Sequence, residues 1–118
     1  MALTNEIIGL ISDIHDSLRS RGETLSTAES ITAGGLSNAL TIVPGASDVF
    51  LGSTTAYRPD VKVSHLNVEE GTIAEHTVVS EDVAIQMGLG ANKSFGSTWA
   101  IATTGVAGPG PADGSEAG

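Results

Sequence analysis

Apolar residues recur at helical spacing through the first twenty positions. Ile7, Ile8, Ile11, Ile14 and Leu18 share a side, Glu6, Asp13, Asp16 and Arg19 face elsewhere, and Gly22 closes the pattern. Residues 4–20 are therefore predicted to be an amphipathic helix that packs on a sheet. Thr24 to Ala28 then reads as a short strand, and Thr32 to Val43 as a small-residue helix ended by Pro44 and Gly45, with Ser30 at their junction. Phe50 to Tyr57, rich in threonine, aromatic and small residues, is a second strand candidate. Pro59 suits the first position of a helix that carries Lys62 and Leu66. The segment 64–77 is polar. Ser80 is a good N-cap, Glu81 and Asp82 suit the helix dipole, and Val83, Ala84, Met87 and Ala91 give the buried face of a helix to about Lys93. Thr98 to Thr103 is an apolar strand with Trp99 and Ile101 on one face. Strands alternating with helices predict an α/β fold, a three-layer α/β/α sandwich with a largely parallel sheet.

Composition narrows the function classes. A length of 118 residues with 40% hydrophobic content fits one domain, 1–118. Its closing run, 108–118, has the make-up of a loop and no large apolar residue to anchor it, so the domain reads as unfinished at its C-terminus. Fourteen acids against five Lys and Arg give a formal charge of −9, which argues against nucleic acid or an anionic membrane surface as partner. With no cysteine there is no disulfide framework and no thiolate nucleophile. The apolar runs are short, and Asn5 and Glu6 stand where a signal peptide would be basic, so the expected location is the cytoplasm.

A hydrolytic nucleophile must then be a hydroxyl, and a hydroxyl needs a base. His15, His65 and His76 are the only histidines; none has the i, i+4 partner of a metal site, and they read as surface or structural residues, with no metal expected. Lysine is the other candidate. Lys93 ends a helix, where the dipole favours a cation, whereas Lys62 sits one turn from a helix N-terminus, where a charge is disfavoured and burial would favour the neutral amine. It reads either as a general base or as a solvated helix lysine. Ser30 reads either as an N-cap or as a nucleophile at a strand-to-helix corner. In the second case free N–H groups at the helix start would hold an oxyanion, an arrangement similar to a nucleophile elbow without matching G-x-S-x-G. Tyr57, the single tyrosine, either relays a proton to this pair or closes a strand end. Gly105, Gly108 and Gly110 make a flexible turn that is neither a P-loop nor G-x-G-x-x-G.

Five strings in order carry a resemblance: Thr27-Ala28-Glu29-Ser30-Ile31-Thr32-Ala33-Gly34, the segment Val43 to Phe50, the Tyr57 to Lys62 spacing, Val79-Ser80-Glu81, and Thr104-Gly105-Val106-Ala107-Gly108-Pro109. From about Thr24 to Pro109 the chain resembles the C-terminal domain of the CinA (competence/damage-inducible) family, the nicotinamide-nucleotide amidases. That resemblance implies deamidation of nicotinamide mononucleotide to nicotinate mononucleotide and ammonia, without metal or cofactor, in pyridine nucleotide recycling. It implies Ser30 as nucleophile, Lys62 as base and Tyr57 as auxiliary, with Thr32, Ala33, Gly34, Ser47, Thr104 and Gly105 lining the pocket. Ile31 stands where many members have cysteine, and Ala33 where they have glycine. The resemblance further implies strands and a helix beyond the Gly-Pro loop, hence a homo-oligomer or a complementing C-terminal segment as partner beside the small-molecule nucleotide. The competing expectations are a non-catalytic nucleotide-binding or interaction domain of the same type, and a Ser/Lys hydrolase of another amide. Arg58 reads either as a phosphate partner, since cations are few, or as a solvent-exposed residue beside Pro59.

Overall fold

Thr4 and Gly22 bound the first helix by ordinary capping chemistry. In the computed structural model, which describes residues 2–112 and 114–117, the Thr4 hydroxyl accepts the Ile7 N–H at 3.2 Å, and Gly22 adopts a left-handed φ of 65°. Between them runs α1 (Asn5–Arg21). Its buried line is Ile11, His15 and Leu18, while Ile7 and Ile14 of the predicted stripe are each 41% exposed. The apolar stripe is wider than the face that meets the sheet, and a histidine occupies its centre. Both His15 ring nitrogens are buried and have no hydrogen-bond partner among the described residues. His65 and His76 are exposed.

Three parallel strands, β1 (Leu25–Glu29), β2 (Phe50–Thr55) and β3 (Trp99–Thr103), form a sheet in the order β2-β1-β3. The register pairs Ala28 with Thr54 and with Ala102, so Ser30, Ala56 and Thr104 all emerge at the carboxyl end of the sheet. Leu51 is an extra residue in the β1–β2 ladder. Beside it Gly52 passes so close to the Phe95 ring that a Cβ there would lie 2.6 Å from Cε1. β1 is buried along its whole length. On one face Leu25 joins Ile11, Leu18, Leu40 and Val49 in a core beneath α1 and α2 (Gly35–Leu40). On the other, Ala28 joins Leu66, Val83, Met87 and Ala91, with Ala100 and Ala102 packed against them, beneath α3 (Pro59–Leu66) and α5 (Glu81–Phe95). The predicted three-layer α/β arrangement with a parallel sheet is thus the observed one.

Two details differ from the sequence reading. The helix expected over Thr32–Val43 is only Gly35–Leu40, because Ala33 (φ 48°) and Gly34 (φ 96°) are left-handed and no helix can run through them. The polar 64–77 segment contains a further helix, α4 (Glu70–His76); α3 stops at left-handed Asn67, and Val68 and Ile73 pack into the core. Trp99 and Ile101 share a face as expected, and among the described residues that face is open: they are 53% and 41% exposed. They border a groove between β3 and α1 that Ile14 and Leu18 also line. No helix among the described residues is long and apolar enough to cross a membrane.

Candidate active site

The carboxyl ends of parallel strands are where an α/β sheet presents loops around a ligand. Here the loops after β1, β2 and β3 enclose a cleft of about 520 Å³. Ser30 enters from the first loop, Tyr57, Arg58 and Lys62 from the second loop and the start of α3, and Thr104 and Gly105 from the third. The expected tail loop also folds over it: Gly108, Gly110, Pro111 and Ala112 line the cleft, and Ala112 bridges to Ser115. Asp113 and Gly118, which belong to the same predicted loop, lie outside the described residues.

Lys62 and Ser30 meet at the floor. Lys62, 1% exposed, places Nζ 2.8 Å from Ser30 Oγ, 2.9 Å from the Ala56 carbonyl and 2.8 Å from the Tyr57 carbonyl. Pro59 starts α3 one turn earlier with its φ already suited to a helix, which aims Lys62 inward. Ser30, 7% exposed, is held by its own N–H, which donates to the Thr103 carbonyl at 3.0 Å. Tyr57 touches the pair through its main chain; its ring is 66% exposed at the cleft rim. Arg58 lines the rim while its guanidinium donates to both Asp60 carboxylate oxygens, at 3.1 and 3.2 Å.

The remaining expected pocket residues divide. Thr104 and Gly105 line the cleft; the Thr104 hydroxyl donates to the Val78 carbonyl at 3.0 Å, and Gly105 lies so near Ile31 that a Cβ would come within 2.8 Å of Cδ1. Thr32, Ala33 and Gly34 are not on the cleft wall and instead shape the turn behind Ser30. Ser47 lies in the 3-10 turn Ala46–Asp48 before β2, at the opposite end of the sheet.

One residue of the site was absent from the sequence reading. Glu29, next to Ser30 and 0% exposed, accepts six hydrogen bonds. Oε1 takes the Thr32 hydroxyl at 2.7 Å and the Gly34 and Leu36 amides at 3.1 and 2.8 Å. Oε2 takes the Ser37 amide at 2.9 Å, the Ser53 hydroxyl at 3.3 Å and the Thr27 hydroxyl at 3.4 Å. The carboxylate therefore caps α2 from the neighbouring strand, a task the sequence reading offered to Ser30. It also means that three amides expected to be free for an anion are already used. Burial alone would push this carboxyl up, but the Thr32 hydroxyl, the Ser37 amide and side chain and the Leu36 amide outweigh it and lower it from 4.5 to about 2. A carboxyl lowered on folding stabilises fully above its unfolded value, and that stability is lost as pH falls from 4.5 towards 2. The shift corresponds to about 3 kcal/mol. Thermal melts should accordingly show a Tm that falls steadily from pH 5 to pH 2, and a Glu29→Gln variant should start lower and lose less over that interval.

With this geometry in view, a family model for the CinA C-terminal domain matches residues 8–118. The chain belongs to the CinA C-terminal domain family. A CinA-like protein of Rippkaea orientalis is 48% identical over 101 residues, which are 86% of this chain and 24% of that protein; one of Picosynechococcus is 50% identical over 96 residues, 81% of this chain and 23% of that protein. The chain thus spans about a quarter of the length of these CinA relatives. Among solved structures, the competence/damage inducible protein CihA of Agrobacterium tumefaciens aligns with a TM-score of 0.92 at 34% identity over 99% of this chain and 72% of that one. A CinA superfamily protein of Escherichia coli aligns at 0.91 and 30% over 99% and 70%.

Proposed function

We propose that this chain is a serine amidohydrolase that deamidates nicotinamide mononucleotide to nicotinate mononucleotide and ammonia. The observation that carries the reading is the buried 2.8 Å contact between Lys62 Nζ and Ser30 Oγ at the floor of a cleft. Burial and the positive end of α3 both disfavour the ammonium form of Lys62. As a neutral amine its two N–H groups donate to the Ala56 and Tyr57 carbonyls, and its lone pair faces the Ser30 hydroxyl. That is the arrangement a general base requires. Ser30 Oγ attacks the carboxamide carbon as Lys62 takes its proton. The resulting oxyanion needs donors, and the Ile31 N–H, adjacent to the nucleophile, donates to no protein acceptor among the described residues. Collapse of the adduct, with Lys62 returning the proton to the departing nitrogen, releases ammonia; a water activated by Lys62 then cleaves the Ser30 ester.

Two features suit a mononucleotide. A cleft of about 520 Å³ falls in the range of ordinary ligand pockets. Among the described lining residues none is acidic while Arg58 is present, in a chain of net charge −9, so the cleft offers an anion a less repelling place than the rest of the surface. The exposed Tyr57 ring stands at the rim as a flat wall for an aromatic base.

The test is ammonia release from nicotinamide mononucleotide by the wild type and by Ser30→Ala, with binding followed by calorimetry. Release that falls at least about a thousandfold in Ser30→Ala, with binding retained, is the expected result. Binding with no release by a folded wild type would instead support the non-catalytic nucleotide-binding reading.

A further inference from the structure

Glu29 is buried, charged and adjacent to the proposed nucleophile, yet it does not reach the cleft and has no part in the steps above. Its hydrogen bonds have a direction that can be worked out. An ionised carboxylate only accepts, so the Thr32 hydroxyl must spend its proton on Glu29 Oε1 at 2.7 Å. Thr32 Oγ1 and Thr103 Oγ1 are 2.8 Å apart. With the Thr32 proton committed, Thr103 must be the donor in that contact. The Thr103 Oγ1 is then left as an acceptor, and the Ser30 N–H, which donates to the Thr103 carbonyl at 3.0 Å, is shared with it at 3.3 Å. The chain of donors runs one way, from the Ser30 amide through Thr103 and Thr32 to Glu29. The same carboxylate ties down the Gly34, Leu36 and Ser37 amides, the far side of the turn in which Ala33 is held left-handed.

We propose that Glu29 is the positioning residue that holds Ser30 in line with Lys62, by clamping the turn after β1 and by fixing the hydroxyl relay that ends on the Ser30 amide. Thr32, expected on the pocket wall, is the relay's middle member. Any neutral substitute breaks this arrangement. A glutamine at position 29 must turn an NH2 group towards donors on one side or the other: the Ser37 N–H with the Thr27 and Ser53 hydroxyls, or the Thr32 hydroxyl with the Gly34 and Leu36 amides. Ser30 stays in the chain but loses its fixed approach to Lys62, a displacement that affects the rate of attack and not the walls of the cleft.

The inference rests on the amidohydrolase reading for its kinetic arm, and a second arm is independent of that reading. Wild type, Glu29→Gln and Thr32→Val are compared below their melting temperatures. The measurements are ammonia release from nicotinamide mononucleotide and the rate at which Ser30 is labelled by an alkyl fluorophosphonate, read as the mass increase of the intact chain. In Glu29→Gln, kcat should fall about a hundredfold with KM within about twofold, and labelling should slow by the same factor; Thr32→Val should show about a tenfold loss in both. Thr32→Val removes a single hydroxyl and keeps the test in force if Glu29→Gln does not fold. Folded variants with unchanged kcat and labelling would overturn the positioning role, as would a rise in KM alone. A wild type that takes the label without releasing ammonia would remove the amidase reading and leave Glu29 judged by labelling. A wild type that does neither overturns both.

Discussion

Lys62→Met and Lys62→Arg are both expected to lower kcat for ammonia release by about 10³-fold or more, with the fold intact. Methionine fills nearly the volume of the lysine stem but carries no base, and arginine stays protonated at any pH the fold survives. Neither can accept the Ser30 proton, so raising the pH should recover neither. The stability sign is set by opposing effects. Removing a buried amine relieves its desolvation, while the Ala56 and Tyr57 carbonyls lose a donor and the Ser30 hydroxyl loses its acceptor. These effects offset to within about 2 kcal/mol. A loss of rate with a nearly unchanged Tm is therefore the signature of a chemical role. Folded Lys62→Met with wild-type kcat would remove Lys62 from the mechanism.

Gly90→Ala should be the most damaging single methyl in the molecule. Helix propensity alone favours alanine by about 1 kcal/mol, yet a Cβ at Gly90 would run into the Leu66 backbone, 2.9 Å from its Cα and closer still to its carbonyl group. Backbone cannot rotate aside as a side chain can, so α3 and α5 must separate. Overpacking of this kind outweighs the propensity gain and leaves a net loss of about 2–3 kcal/mol, or roughly 10 °C in Tm. Because α3 carries Lys62, activity should fall with it. Gly9 is the internal control: it also lies within a helix, with nothing within 4 Å of an added Cβ, so Gly9→Ala should leave Tm equal or higher. Equal melting of Gly90→Ala and wild type would show that the two helices have room that the structure denies them.

The elements with a strong period were legible in the sequence to within about two residues. α1, α5 and the three strands carry a stripe or an apolar run, and Thr4, Ser80 and Pro59 mark starts that local chemistry dictates. α4 was not, because seven residues with a single large apolar side chain, Ile73, give no pattern. The Ser30 and Lys62 positions were legible as candidates, since one follows a strand and the other opens a helix, but their contact spans 32 positions and only the fold makes it. Glu29 was hidden for a different reason: five of its six donors lie between Thr27 and Ser37, but a carboxylate at a strand end that caps the following helix leaves no pattern of its own, and the left-handed turn that brings those donors round it shows only in the fold. Ser47 shows the converse: a residue inside a matching string lies at the end of the sheet away from the Ser30 cleft.

The chain has one tryptophan, and it lies half-exposed on the outer strand of a three-stranded sheet. An indole in that position emits as a wet fluorophore. Whatever comes to lie along the β3 edge must exclude water from Trp99 and move its emission to the blue, whereas a ligand entering the Ser30 cleft, at the far end of the strands, has no such claim on it. The molecule thereby carries a built-in optical signal that separates association at its edge from occupancy of its site.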